Sequence, residues 1–599
     1  MSIKQRFGAL KNLPPFFKLI WDTNPRIATV NVIFRIIKSV IPVVMLYIGK
    51  LIIDEVVYLT SAEGDGDLTE IFTFIGIEFA LAIFSDLLNR SIALLDSLLG
   101  DLFANKTSVK LMQHASDLDL DQFEDADFYD KLERARRQTV ARTALMSQVL
   151  GQLQNLITII SLGIGLVVFN PWLILILVIT VIPAFLGENY FNERSYSLIF
   201  SWTPQRRELD YLRYTGASDE TAKEVKIFGL ADFLIKRFKR LSDQYYEENK
   251  KLSIKRAGWG LLFAAIGSAG YYSAYVYIVY QTAIGQLTIG DLTFLSGSFM
   301  RLRALLEGLI TQLSTIAEGS LYLKDFFEFF ELKPRIKRNK QALPFPSPIQ
   351  KGFEFQDVGF KYQNSEKWAV RNVNFTLQAG EKLALVGENG AGKTTLVKLL
   401  SRLYDPTEGR ILLDGKDLRE YDPEDLRKET GVIFQDFVKY QMKAKENIAV
   451  GRIDELEDTD RIEDSAKQSL ADKVVEGLPD RYEQMIGKRF ANGVDLSGGQ
   501  WQKIALGRAY MRDAQLLILD EPTAALDARA EHDVFVRFTE LTNNKTAVLI
   551  SHRFSTVRMA DRILVLEGGK VLESGSHEEL LEDGGKYAEL FSLQAEGYK

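Results

Sequence analysis

The sequence predicts a multidomain chain in which an all-α, six-helix polytopic membrane domain precedes an α/β domain. Three observations indicate this. Six long apolar segments fill the first half, short apolar strands alternate with helices in the second half, and a glycine-rich loop joins one of those strands to a helix. At 599 residues the chain is also too long for a single hydrophobic core.

Composition narrows the classes of function. The chain is 46% hydrophobic and 11% aromatic, so it is not disordered, and its net charge of −7 argues against nucleic acid as a partner. It contains no cysteine, which excludes disulfides, Cys-ligated zinc and thiol catalysis, and only four histidines. We expect no structural metal.

The N-terminal stretch PPFFKLIW mixes aromatic, aliphatic and basic residues behind Pro15, which can open a helix. This blend suits a helix that lies in the membrane interface, and an ordinary surface helix is the alternative.

The six apolar segments are each long enough to cross a bilayer as a helix, which takes about 20 residues. They lie near 27–54, 69–98, 144–168, 171–190, 257–281 and 290–316. The short loops between them lack Lys and Arg, whereas the long connections contain LERARR and LIKRFKR. The positive-inside rule then predicts a multi-pass protein of the cell (cytoplasmic) membrane. Both termini and both long connections are then expected in the cytoplasm. The spanning helices are expected to continue into the long connections.

Charged residues inside these segments admit two interpretations. Arg35 and Lys38 share one face of the first segment, and Asp86 of the second is expected at the depth of Lys38. In the first interpretation, Lys38 and Asp86 form a structural salt bridge between neighbouring helices. Alternatively Arg35 and Lys38, together with Arg301 and Arg303 of the sixth segment, line a cavity that attracts an anionic or carboxylate-bearing substrate, because charges within a membrane face the interior of the protein.

Two runs at the turning points of the long connections, 120–137 and 211–230, each join a turn cluster to an amphipathic helix. Each run suits a turn that docks onto another domain, and the alternative is a solvated connection between helices. A basic, proline-containing linker at 332–352 then divides a transmembrane domain (1–331) from the α/β domain (353–599), for which we expect a helical subdomain as well.

The stretch LALVGENGAGKTTLVKLL (383–400) is a buried strand, a glycine-rich loop and a helix start. Gly387, Gly390 and Gly392 let backbone N–H groups converge on phosphates at the positive helix terminus. Lys393 would reach the β- and γ-phosphates, and the Thr394 hydroxyl would bind Mg²⁺. A merely structural glycine-rich turn is the alternative.

A second element, LLILDE, is a buried strand that ends in two carboxylates. Such residues emerge at the sheet edge where α/β domains bind ligands. Asp520 would hold Mg²⁺ through water, and Glu521 would polarise the water that attacks the γ-phosphate. Together the two elements predict binding of ATP or GTP.

The string DLSGGQWQKIALGRA resembles the signature of ATP-binding cassette (ABC) transporters, specifically exporters that fuse six helices to one ATPase domain. Ser497 is expected to cap a helix, and Gly498 and Gly499 to expose backbone N–H groups as a second anion site. The resemblance implies that this site contacts the ATP held by an opposite subunit, so that a second copy is the partner.

Further roles follow from the resemblance alone. Tyr362 is similar to the aromatic residue that stacks on adenine, and Gln435 to the loop glutamine that senses Mg²⁺ and γ-phosphate. His552 is similar to the switch histidine, and Asp527 to a residue of the loop that links the two ATP sites. The remaining ATP-site candidates are Asn389, Thr395 and Gln500. The runs 120–137 and 211–230 are similar to coupling helices that insert near the glutamine loop.

Three positions depart from the family pattern. Trp501 stands where a basic residue often follows the signature, TAALD replaces TSALD, and Lys488 stands where many exporters carry an acid. None of the three removes a catalytic group. Lys488 puts in doubt the usual contact of its segment with a coupling helix.

The resemblance implies ATP-driven export by alternating access, with ATP and Mg²⁺ at two composite sites of a homodimer, or of a dimer with a related half-transporter. A lipid or lipid-linked flippase and an ATP-gated channel are the alternatives. A cassette ATPase acting on ribosomes or DNA is opposed by the six segments. The sequence does not identify the substrate.

Overall fold

The computed structural model describes residues 10–61, 67–336, 341–363, 365–520, 536–543, 545–551 and 557–596. The chain forms two compact units. The first comprises residues up to Ala115 together with Asp130–Leu332, and the second comprises Ser116–Tyr129 together with the chain from Lys333 onward. The division at 332–352 stays a prediction, but the short segment 116–129 belongs with the C-terminal unit.

Ten α-helices are described before the first strand. They are α1 (Leu13–Trp21), α2 (Pro25–Thr60), α3 (Thr69–Asp117), α4 (Leu120–Phe123), α5 (Ala126–Phe169), α6 (Trp172–Ser201), α7 (Thr203–Gly216), α8 (Ala222–Ile227), α9 (Ala231–Ala283) and α10 (Ile289–Glu331). All six predicted segments lie in helices, which confirms the predicted fold class. Helices α3, α5 and α9 have 49, 44 and 53 residues, far more than the roughly 20 that cross a bilayer.

Five of these helices contain a stretch long and apolar enough to cross a membrane, among the residues that the structure describes. They are α2, α3, α5, α6 and α9. The sixth predicted segment forms most of α10 but falls outside this group. Its charged residues are Asp291, Arg301, Arg303 and Glu307.

Helix ends follow the local sequence. The Asn24 side chain accepts a hydrogen bond from the N–H of Ile27, and Pro25 occupies the first turn of α2. Helix α1 packs Phe16 and Ile20 into the bundle, with the Phe16 ring edge-on to Phe103 at 5.7 Å. The N-terminal helix is therefore fixed to its own unit through one apolar face.

Arg35 and Lys38 of the first predicted segment each have a polar partner on α3, but neither partner is Asp86. The Arg35 guanidinium donates to Asp96 at 2.6 Å, and the Lys38 ammonium donates to Asn89. The predicted segment ended at 54, whereas α2 continues to Thr60, so Lys38 lies further from the connecting loop than expected. Its partner on α3 is displaced in the same direction, by about one turn.

Two sheets form the core of the C-terminal unit. The strands are β1 (Gly352–Phe360), β2 (Val370–Gln378), β3 (Lys382–Gly387), β4 (Glu408–Leu413), β5 (Lys416–Asp417), β6 (Thr430–Ile433), β7 (Leu516–Asp520), β8 (Thr546–Ile550), β9 (Arg562–Glu567) and β10 (Lys570–Gly575). One sheet has the order β2-β1-β4-β5, and the other has the order β10-β9-β3-β8-β7-β6. Within the second sheet only β10 pairs antiparallel. The carboxyl ends of β3, β6 and β7 consequently meet at one edge.

After β1, the α-helices that the structure describes cover the sheets and build a separate helical cluster. They are α11 (Lys393–Leu400), α12 (Pro423–Lys428), α13 (Ala444–Ala449), α14 (Thr459–Gln468), α15 (Asp472–Glu476), α16 (Gly498–Arg512), α17 (His577–Glu582) and α18 (Lys586–Glu596). Apolar side chains of α13 to α16 form one buried cluster that includes Trp501, which is 1% exposed. The large apolar residue after the signature is thus part of this helical core.

Candidate functional site

The glycine-rich loop leaves β3 at Gly387 and enters α11 at Lys393. Gly390 and Gly392 have φ values of 82° and 102°, in the left-handed region that favours glycine. A Cβ atom on Gly392 would lie 2.5 Å from Val370 Cγ1 and 2.9 Å from the Ala369 carbonyl oxygen. A side chain would therefore disrupt this loop on steric and conformational grounds alike.

Lys393 is buried beneath the loop that precedes it. Its ammonium donates to the carbonyl oxygens of Gly387 at 2.7 Å and Glu388 at 3.0 Å. Glu388, Asn389 and Gly390 themselves are exposed. The arrangement puts a positive charge and the N-terminus of α11 under an open loop, which is suited to phosphates.

Thr394 and Asp520 meet beside this loop. The Thr394 hydroxyl donates to Asp520 Oδ2 at 3.2 Å, and Asp520 is buried at the end of β7. A hydroxyl and a carboxylate supply oxygen ligands of the kind that Mg²⁺ prefers. The two residues therefore fit a Mg²⁺ ion that is also bound to phosphate oxygens.

Gln435 follows β6 and is exposed. Because β6 and β7 are parallel neighbours, with Ile433 opposite Leu519, Gln435 and Asp520 lie at the same sheet edge. Glu521, Asp527 and His552 lie outside the described residues, and their predicted roles stay predictions.

Tyr362 is half-buried after β1, and aromatic side chains surround it. Its ring meets Phe360 at 5.0 Å and Tyr404 at 5.8 Å, both edge-on, and its hydroxyl and the Thr395 hydroxyl lie 3.2 Å apart in a hydrogen bond. Thr395 is the third residue of α11. The predicted adenine-stacking ring is thereby tied to the helix that starts at the phosphate loop.

Ser497 caps α16 in a reciprocal arrangement with Gln500. The Ser497 hydroxyl accepts from the Gln500 N–H at 3.3 Å, and the Gln500 side chain accepts from the Ser497 N–H at 2.8 Å. Ser497, Gly498 and Gln500 are exposed, and Gly499 is half-buried. The helix N-terminus thus presents backbone N–H groups at the surface of the unit, as an anion site requires.

Lys488 lies close to this signature. Its ammonium is 2.7 Å from the Asp495 carboxylate, and the hydrogen bond from Lys488 lowers the pKa of Asp495. The basic residue at position 488 is therefore paired with an acid of its own cassette.

Sequence reasoning missed Lys398 and did not predict the partner that Lys398 meets in the run 120–137. Lys398 of α11 pairs with Glu124 of the segment 116–129 at 2.9 Å. Helical spacing from Lys393 places Lys398 on the phosphate-loop helix, but only the folded chain shows which acid it meets.

The sequence and the fold of this chain are similar to those of known proteins. Residues 370–524 match the family model described as ABC transporter. The subtilin transport ATP-binding protein SpaT of Bacillus subtilis is 31% identical, over 97% of this chain and 94% of the relative. The nisin transport ATP-binding protein NisT of Lactococcus lactis subsp. lactis is 27% identical over 98% and 97%.

Two further similarities extend the comparison. An ATP-dependent lipid A-core flippase of Legionella pneumophila (strain Lens) is 32% identical over 74% of each chain. The solved structure of a bacterial Atm1-family ABC exporter with ATP bound has a TM-score of 0.75 at 24% identity, over 94% of this chain and 98% of the other. The latter shows a shared fold.

Proposed function

This chain belongs to the ABC transporter family, as a half-transporter that fuses a membrane domain to one nucleotide-binding domain, and from this premise we propose a dimeric exporter with two composite ATP sites. It is an ATPase that couples hydrolysis to transport. In the proposed dimer each ATP is held between Lys393 of one copy and Ser497 of the other. Alternating access then follows from closing and reopening these sites.

The exposed, capped N-terminus of α16 carries this proposal. An anion site built from Ser497, Gly498 and Gly499 belongs to the same chain as a complete phosphate loop. One cassette therefore contains two phosphate-binding elements. When two copies pair face to face, the phosphate loop of one copy and the Ser497 site of the other bind the same ATP.

The proposed roles of the site residues follow from their chemistry. Lys393 and the loop N–H groups bind the β- and γ-phosphates, and Thr394 and Asp520 hold Mg²⁺, which neutralises phosphate charge when bound. Glu521 polarises the attacking water, and His552 and Gln435 contact the γ-phosphate and its surroundings. Asp527 belongs to the loop that links the two sites.

A purified chain tests the dimer. The full chain in lipid is expected to form dimers and to hydrolyse Mg²⁺-ATP without another protein. Absence of both properties in the chain alone, with recovery on adding a second cassette chain, would contradict the homodimer and favour a related half-transporter as partner.

We place the protein in the cell membrane with both termini on the cytoplasmic side, because the short loops lack Lys and Arg whereas the long connections are rich in both. The absence of cysteine makes single introduced cysteines clean reporters. Ser218→Cys, in the run 211–230, should resist an impermeant maleimide in intact cells, and Gln286→Cys, in the loop before α10, should react. The reverse labelling pattern would overturn this orientation.

The two relatives matched over nearly the whole chain are named for transport of subtilin and nisin, and we propose a substrate of that kind. ATPase activity in lipid should rise with nisin or subtilin. Stimulation by lipid A-core alone would instead support a flippase, in keeping with the relative matched over 74% of the chain.

The candidate cavity residues are not equivalent. Arg35 is buried and paired with Asp96, whereas Asp86 and Arg301 are exposed and Lys38 is half-buried. We therefore propose Lys38, Asp86 and Arg301 as the substrate-facing candidates, and Arg35 as structural. Loss of substrate stimulation in Arg301→Ala, with unchanged basal hydrolysis, would support this choice, and unchanged stimulation in all three alanine variants would refute it.

A further inference from the structure

The segment 116–129 is anchored to the chain that leads into the first strand of the cassette. The Asp119 carboxylate accepts hydrogen bonds from the backbone N–H groups of Arg335 and Ile336, the latter at 2.8 Å. The Arg335 guanidinium in turn donates to Asp121 at 2.6 Å. Asp119 is 8% exposed, so this anchor is largely protected from water.

The same segment reaches the phosphate-loop helix. Leu120 packs against the apolar core shared by the two sheets, and the Lys398 ammonium donates to Glu124 at 2.9 Å. The Lys398 side chain is 20% exposed and that of Glu124 is 40% exposed. Glu124 thus meets a helix whose first residue, Lys393, lies under the phosphate loop.

Lys398 also faces the aromatic residues beside the loop. Its ammonium is 5.5 Å from the ring centroids of both Tyr362 and Tyr404, within the roughly 6 Å range of cation–π attraction. Burial opposes the charge of Lys398, but its hydrogen bond to the Glu124 carboxylate and the neighbouring Tyr362 outweigh burial and raise the pKa of Lys398 above its ordinary value. The side chain is consequently a cation at neutral pH.

We propose that Lys398 is a positioning residue that holds the Tyr362 ring in place for the nucleotide base while Glu124 holds the Lys398 ammonium. Docking of the segment 116–129 and affinity for the base of ATP are then linked. The linkage is reciprocal, so a docked segment strengthens ATP binding and bound ATP strengthens docking. This inference rests on the proposed function and on the predicted stacking of Tyr362 on adenine.

The test measures nucleotide binding by the full chain in lipid nanodiscs, with a fluorescent ATP analogue displaced by ATP or by inorganic tripolyphosphate. Lys398→Met and Glu124→Ala should each raise the Kd of ATP about threefold, the size expected for one partly exposed cation–π or ion-pair contact. The Kd of tripolyphosphate, which has no base, should stay unchanged and shows that the phosphate site is still folded.

Three further variants separate the contacts. The double variant Lys398→Met with Tyr362→Ala should have the same Kd for ATP as Tyr362→Ala alone, because the cation acts through that ring. The double variant Glu124→Lys with Lys398→Glu swaps the two charges and can restore the ion pair. It leaves a carboxylate near the rings of Tyr362 and Tyr404, so the Kd of ATP should remain raised. Lys545→Met is the matched control, since Lys545 is 22% exposed and pairs with Asp513 at 2.7 Å elsewhere in the unit.

The outcomes distinguish this inference from the proposed function. Suppose that the wild-type chain binds ATP. If Lys398→Met then leaves the Kd of ATP unchanged, or raises the Kd of ATP and of tripolyphosphate equally, the positioning role is refuted and the exporter proposal stands. If wild-type chain binds no ATP, the proposed function fails together with the inference.

Discussion

Replacing Asp96 should destabilise the helical unit far more than replacing any exposed acid of the same helix. The Asp96 carboxylate accepts three hydrogen bonds, from Asn31 at 2.7 Å, Arg35 at 2.6 Å and Ser147 at 2.7 Å. The Arg35 guanidinium also donates to Asn31 at 2.8 Å. One carboxylate therefore joins α2, α3 and α5.

The size of the effect follows from burial. Arg35 is 7% exposed, so Asp96→Ala leaves a buried guanidinium without its counter-charge. Removing one partner of a buried pair costs about 3–5 kcal/mol. Asp86→Ala, on the exposed side of α3, should cost no more than about 0.5 kcal/mol and serves as the matched control.

The assay is the half-life of the folded protein at a raised temperature in one detergent, followed by fluorescence-detected size exclusion, because membrane proteins of this size commonly unfold irreversibly. Asp96→Ala should shorten the half-life strongly, and the double variant Arg35→Met with Asp96→Leu should recover most of it, since no unpaired charge remains. Equal half-lives for Asp96→Ala and Asp86→Ala would refute the structural role of the network.

The remaining predictions concern the cassette. Glu521→Gln should reduce ATP hydrolysis on the order of 10²–10⁴-fold while ATP binding survives, whereas Lys393→Ala should weaken ATP binding itself; equal loss of affinity in both would contradict these roles. Thr394→Val should raise the Mg²⁺ concentration that gives half-maximal hydrolysis, and an unchanged Mg²⁺ titration would exclude Thr394 as a ligand. Ser497→Ala should remove a cap worth about 1 kcal/mol and abolish hydrolysis, with Ser497→Thr as the control that keeps the cap; full ATPase activity in Ser497→Ala would exclude this role.

Local signals in the sequence predicted the geometry of the glycine-rich loop and of the strand beside it. Gly390 and Gly392 have the left-handed backbone that a tight loop needs, and LLILD is a fully buried strand that ends in Asp520. The approach of Thr394 to Asp520 follows from those two elements, because β3 and β7 end at the same sheet edge. The six long helices likewise follow from apolar length alone.

Contacts between distant parts of the chain were predicted less well. A few residues of error at the end of α2 changed the partner of Lys38 from the expected Asp86 to Asn89. The pairing of Glu124 with Lys398 depends on how the segment 116–129 folds onto the cassette, which no local pattern encodes. Trp501 was a departure from the family pattern until its burial in the helical cluster explained it.

The composite ATP site is tested most directly by mixing two inactive variants, Lys393→Ala and Ser497→Ala, within one dimer. In a mixed dimer one site combines both defects, and the other combines an intact Lys393 with an intact Ser497. Our account predicts that co-expressed, doubly tagged and doubly purified mixed dimers hydrolyse ATP well above either variant alone. Mixed dimers as inactive as the two parents would contradict a site shared between copies.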